Sequence, residues 1–141
     1  MKKIFIIIII MIGLVGCQMN AQHDVKVLQL DDAIVEQTQA NKAKEIVLSM
    51  EEVTEVRGVS YDNSIYIATH VKPFDRFFLN EIRKKAHDNV KKRYPEATVH
   101  VTTDEKIFIE LEKIEQQLKK QAISEERLSK RLKELDEMMK G

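Results

Sequence analysis

Four histidines, one cysteine and a few clustered acids and hydroxyls are the groups in this 141-residue chain that chemistry could use. His23 lies in a polar stretch and His87 on a charged helical face. His70 and His100 fall within β-rich runs, on faces opposite their apolar neighbours, so they could approach each other across a sheet beside Tyr66. Tyr66, His70 and His100 therefore form the one face that can be nominated for a ligand; the plainer reading is solvated strand residues. Zinc usually wants three or four ligands, and two imidazoles without an acid or thiol fall short. Asp62-Asn63-Ser64 lacks the six or more oxygens and distant bidentate acid of a calcium loop and reads as a hairpin turn. Thr102-Thr103-Asp104 is accounted for by helix capping. There is no nucleophile elbow, phosphate-cradling glycine loop or zinc-protease helix. The expectation is a protein that is not an enzyme and uses no cofactor or metal.

Cys17 is the sole cysteine, so no internal disulfide can form. It follows a basic Lys2-Lys3 start and an apolar run, Ile4 to Val15, of about 12 residues, where a spanning helix needs roughly 20. This is the pattern of a signal-peptide core. Leu14-Val15-Gly16-Cys17 resembles the bacterial lipobox, in which the thiol directly follows a small residue. There the sulfur takes a diacylglyceryl group as a thioether, and a small Gly16 lets a signal peptidase reach the Gly16–Cys17 bond. Two or three fatty acyl chains such as palmitate, at ~0.8 kcal/mol per buried methylene, hold a protein on a bilayer where one chain is marginal. The alternative is an uncleaved signal anchor with an inert thiol.

Charge is balanced, with 23 basic and 23 acidic side chains. Loss of residues 1–16 removes Lys2 and Lys3 and leaves a net charge of about −2. Neither nucleic acid, which wants a basic excess, nor a polybasic attraction to anionic lipid is indicated.

The elements that must position these groups follow from periodicity. Residues 17–30 read as a lipidated N-terminus and polar tether, residues 31–121 as a folded domain and residues 122–141 as a C-terminal amphipathic helix. Ala43, Ile46, Val47 and Met50 share a helical face. Val53 to Tyr61 is β-rich, with Gly58 suggesting a bulge or bend, and Ile65, Ile67 and Val71 alternate with Tyr66, Ala68 and His70 as a second strand. Pro73 ends it, and Asp75 is a candidate N-cap for a helix with the stripe Phe78, Ile82, Ala86, Val90 and Tyr94, stopped by Pro95. Val99, Val101 and Thr103 mark a third strand. Asp104 and Ser124 are candidate caps for two further helices, the first carrying Ile107, Phe108, Leu111, Ile114 and Leu118. The second has a narrow seam of Leu128, Leu132, Leu135 and Met139, which could fold back on the domain or dock on a partner or second copy. The expected architecture is α+β: helix, strand, strand, helix, strand, helix, with a three-stranded sheet, helices on one face and an appended C-terminal helix. Strand three is expected beside strand one, parallel, through a right-handed crossover.

From about Ala40 to Gln117 the chain resembles the sporulation lipoprotein YhcN/YlaJ family, and its YlaJ-like members most. The carrying segments are Ile65-Tyr66-Ile67-Ala68, Val90-Lys91-Lys92 with Tyr94-Pro95, and Val99-His100-Val101-Thr102-Thr103-Asp104, preceded by the lipobox in the usual order. The resemblance implies a lipoprotein of endospore-forming bacteria, associated with spore membranes, with a role in spore formation or germination. It carries no catalytic residues over. The element order is also similar to the BON and ring-building domains of secretion and sporulation complexes, a likeness of fold alone. The longer, charged C-terminal segment departs from the family pattern. The leading expectation is a lipid-anchored interaction or assembly module on the outer face of a membrane, the spore inner membrane first, with protein partners in the spore envelope or germination machinery. The alternative is a protein that binds cell-wall material, or weakly hydrolyses it, through Tyr66, His70 and His100.

Overall fold

The computed structural model describes residues 26–141. Gly16, Cys17, His23, the signal segment 1–16 and most of the 17–30 tether lie outside the described residues. Residues 26–30 run extended along the first helix, and Leu30 is buried, so the folded body begins earlier than residue 31.

Helix α1 spans Thr38–Leu48, followed by strands β1 (Val53–Tyr61) and β2 (Ser64–Val71). Asp62 and Asn63 join the strands with positive φ angles of 47° and 57°, the left-handed pair of a type I′ hairpin turn, which short polar side chains tolerate. A 3₁₀ helix, Pro73–Phe78, leads into α2 (Leu79–Arg93), then β3 (Thr98–Thr102), α3 (Glu105–Lys119) and α4 (Glu125–Lys140). Asp104 caps α3 by accepting from the Ile107 amide at 3.0 Å, and Ser124 caps α4 by accepting from the Arg127 amide at 3.3 Å. Among the described residues, no helix is long and apolar enough to cross a membrane.

The sheet order is β1-β2-β3. β2 pairs antiparallel with β1, with Val59 opposite Tyr66, and parallel with β3, with Tyr66 opposite His100. The expected pairing of strand three with strand one is therefore wrong. The physical reason lies in β2, where Ile65 to Thr69 are all buried, the pattern of a strand with neighbours on both sides and cover on both faces. Ile65, Ile67 and Val99 pack against α1 and α2 through Val47, Ile82, Ala86 and Val90. Tyr66, Ala68 and Val59 pack against α3 and α4 through Phe108, Leu111, Leu128 and Leu132. The α+β class and three-stranded sheet stand, but the helices cover both faces rather than one.

Two local expectations also change. The irregularity in β1 lies between Val53 and Glu55, not at Gly58. Asp75 is inside the 3₁₀ helix and caps nothing, since α2 starts only at Leu79. Three residues per turn in that segment break the register of the expected stripe. Ile82, Ala86 and Val90 are buried, while Phe78 is 56% exposed and Phe74 and Phe77 are each 88% exposed.

Candidate functional site

Two polar assemblies merit chemical scrutiny: the nominated face of the sheet and a buried cluster beside β1. On the face, register places Tyr66 next to His100, and their rings stack with centroids 4.7 Å apart and planes 5° from parallel. α4 closes over them. His100 Nδ1 lies 3.5 Å from Asp136 Oδ1, and Asp136 also accepts from Lys140 at 2.5 Å. Burial raises the Tyr66 phenol pKa above its ordinary value and lowers that of His100, with Asp136 opposing the latter shift.

His70 shares this face but has other neighbours. Its ring stacks on Phe108 at 3.7 Å, and its two nitrogens meet Glu55 at 3.0 Å and Glu105 at 2.7 Å. The depression beside His70 is lined by Thr54, Thr69, Arg76 and Glu105, and the one beside His100 by Arg83, Lys84 and Lys140. The structure thus brings Tyr66 to His100 and leaves His70 apart. Both histidines are partly buried and partnered, not solvated. A general base needs a ring nitrogen within reach of a substrate proton; here glutamates occupy both nitrogens of His70, and a helix covers His100. Among the described residues, no three histidines, cysteines or acids converge to hold a metal ion. The seam of α4 lies inside the molecule, with Leu128, Leu132 and Leu135 buried and Met139 partly so.

The second assembly was not expected from the sequence. Lys44 and Glu115 form an ion pair at 3.1 Å with both side chains 0% exposed. Glu115 Oε1 also accepts from the Gly58 amide at 2.8 Å, and the Arg57 Nε lies 3.8 Å from its other oxygen. Lys44 donates a second bond to the Leu28 carbonyl at 2.5 Å. Burial lowers the pKa of Lys44 and raises that of Glu115, and their mutual attraction opposes both shifts. Beside them the Gln37 amide exchanges two bonds with the Ser60 backbone, at 2.8 and 2.9 Å.

These contacts fall on the outer margin of β1, where unpaired backbone groups would otherwise attract another strand. Gly58 makes room for them: a Cβ there would sit 2.5 Å from Ile67 Cδ1 and 2.9 Å from Lys44 Cγ. A lysine without solvent access is no nucleophile for an outside substrate, so the cluster is structural. Its one trace in the sequence is Gly58 within a strand, which can mark close approach as well as a bulge.

No curated protein shows significant similarity to the chain. The family model for sporulation lipoprotein YhcN/YlaJ matches residues 15–135, which include every strand, the Lys44–Glu115 cluster and Tyr66, His70 and His100, but not Asp136 or Lys140. The chain belongs to the sporulation lipoprotein YhcN/YlaJ family.

Proposed function

We propose that this sporulation lipoprotein is a non-catalytic interaction or assembly module, held by lipid on Cys17 at the outer face of a spore membrane, the inner membrane first. The observation that carries the reading is the occupied state of its best chemical groups. His70 is held between Glu55 and Glu105, and His100 is stacked on Tyr66 beneath α4. What remains for function is the exterior of a small folded body, which suits contact with other proteins of the spore envelope or germination machinery. Association of two copies through Leu128, Leu132, Leu135 and Met139 would first require α4 to lift from the domain.

Crosslinking from the folded domain in intact spores should recover a defined protein partner. A blank across several crosslinker lengths would count against the module. Cell-wall binding through Tyr66, His70 and His100 together would need α4 to lift from the buried Tyr66, since His70 and His100 border separate surface depressions. Replacing both histidines by alanine should therefore leave germination unchanged provided the protein still folds. Mass spectrometry of the N-terminal peptide tests the anchor separately, by showing whether Cys17 is acylated.

A further inference from the structure

Pro73-Phe74-Asp75-Arg76-Phe77-Phe78 is the least expected part of the surface. Three of the five phenylalanines in the chain stand on this single 3₁₀ helix, with Phe74 and Phe77 each 88% exposed. Soluble surfaces rarely leave such rings in water without a use. The segment is short and presents separate rings, so it offers neither a groove nor a continuous helix stripe to a folded partner. Isolated rings on a projecting turn fit a soft apolar medium better, and aromatic side chains are common at the lipid–water boundary.

The position of the N-terminal segment identifies that medium. α1 runs antiparallel to β1: Gln37 sits at Ser60, and the chain turns into β1 where the Val53 amide donates to the Met50 carbonyl at 3.1 Å. Lys26 and Val27 line a depression with Leu48 and Ser49 at this second end of α1. β2 finishes at the same end, with Val71 opposite Val53 and the Lys72 amide donating to the Glu52 carbonyl at 2.9 Å. Lys72 leads straight into the phenylalanine turn. The chain segment that leads back to Cys17 and the exposed rings therefore leave the fold at one end. Only eight residues lie between Cys17 and Lys26, nine chain steps with a reach of at most ~30 Å.

We propose that Phe74, Phe77 and Phe78 dip into the surface of the membrane to which Cys17 tethers the chain, so that the domain rests on lipid at two points with this end down. The inference builds on the anchoring proposed above. Lys72 and Arg76 flank the rings, but Asp75 stands among them and Glu52, whose carbonyl meets the Lys72 amide, lies close by in space, so charge is not the main attraction. Insertion should therefore persist on uncharged phosphatidylcholine and at high salt.

The chain contains no tryptophan, so Phe77→Trp introduces a single reporter at an exposed position that tolerates it. The acylated Phe77→Trp chain in phosphatidylcholine vesicles should show a blue-shifted emission and lose intensity when the lipid acyl chains carry bromine. Tyr61→Trp, at the hairpin end, should show neither change. A vesicle-bound Phe77→Trp chain whose indole emission stays that of water and is quenched by aqueous iodide overturns the insertion while leaving the anchor intact. If Cys17 proves unacylated, the anchoring reading fails. The tip is then judged by adding the free chain to excess vesicles, where an unshifted emission overturns it as well. A blue shift that grows with protein concentration in the absence of lipid assigns the rings to a second copy and also overturns the proposal. Phe74→Trp repeats the measurement one turn away.

Discussion

Replacing Lys44 by methionine keeps most of the side-chain volume and removes the charge that faces Glu115. Both groups are 0% exposed, so the carboxylate cannot turn to water for compensation. Removing one partner of such a pair costs about 3–5 kcal/mol, because the other charge is left buried. Glu115 retains the Gly58 amide at 2.8 Å, and Arg57, 3.8 Å away and partly exposed, can approach. Those two donors place the expected loss near the lower bound, about 3 kcal/mol. Glu115→Gln preserves an oxygen for Gly58 and strands Lys44 instead. Without Glu115 the attraction that holds the Lys44 pKa up disappears, and burial lowers it further. A lysine whose folded pKa lies below 10.5 binds its proton less tightly folded than unfolded, so stability rises with pH across that window. The Gln variant should accordingly be less destabilised at alkaline than at acid pH.

The double variant Lys44→Met, Glu115→Gln contains no stranded charge and should recover about 2 kcal/mol relative to the sum of the single changes. Urea unfolding of residues 17–141 carrying Cys17→Ser, followed by circular dichroism, reads all three variants. With a slope of about 1–3 kcal/mol per molar for a small domain, the methionine variant should unfold about 1–3 M earlier. A loss below ~1 kcal/mol, the range of exposed ion pairs, refutes the reasoning. So does a coupling within ~0.5 kcal/mol of zero.

Other outcomes follow from neighbouring features. Gly58→Ala should destabilise by about 1–3 kcal/mol through overpacking against Ile67 and Lys44, and an unchanged melting temperature would contradict the close approach. Leu132→Ala should lose about 2–5 kcal/mol in the same urea assay; a loss of a few tenths would mean that α4 is not docked in solution. His100 should titrate below 6.5 by NMR, because burial lowers its pKa. Its contribution to stability is complete above 6.5 and is lost as pH falls through the folded-state value, so His100→Gln should flatten that part of the stability curve.

Much of the local structure was legible because its causes are local. Asp104 and Ser124 announced two helices by a side chain that could reach an amide three residues on, and both do so. The apolar spacing of α3 and α4 likewise matched what is buried. Pairing order depends on which strand is covered on both sides. Alternation in Ile65, Ile67 and Val71 suggested a half-wet β2, yet the run Ile65-Tyr66-Ile67-Ala68-Thr69 is the better indicator of a central strand. The buried cluster was invisible for a different reason. Lys44 and Glu115 are 71 residues apart, and each alone looks like the solvated side of a helix. Gln37 is buried because its amide answers a strand 23 residues away. Tyr66, His70 and His100 share one side of the sheet, but only tertiary packing shows that His70 stands apart and that α3 and α4 pack on that side.

The sealing of β1 gives the sheet a direction. Gln37, Lys44 and Glu115 occupy the side of β1 where a further strand would have to bond, whereas among the described residues β3 carries no strand beyond it. A foreign strand can therefore join on one flank only. Two such molecules meeting there would end as a pair, since each presents a blocked edge to any third, and a continuous cross-β fibre has no way to propagate. On a lipid surface, where the proposed anchor would bring copies together often, that asymmetry would terminate aggregation at its first step.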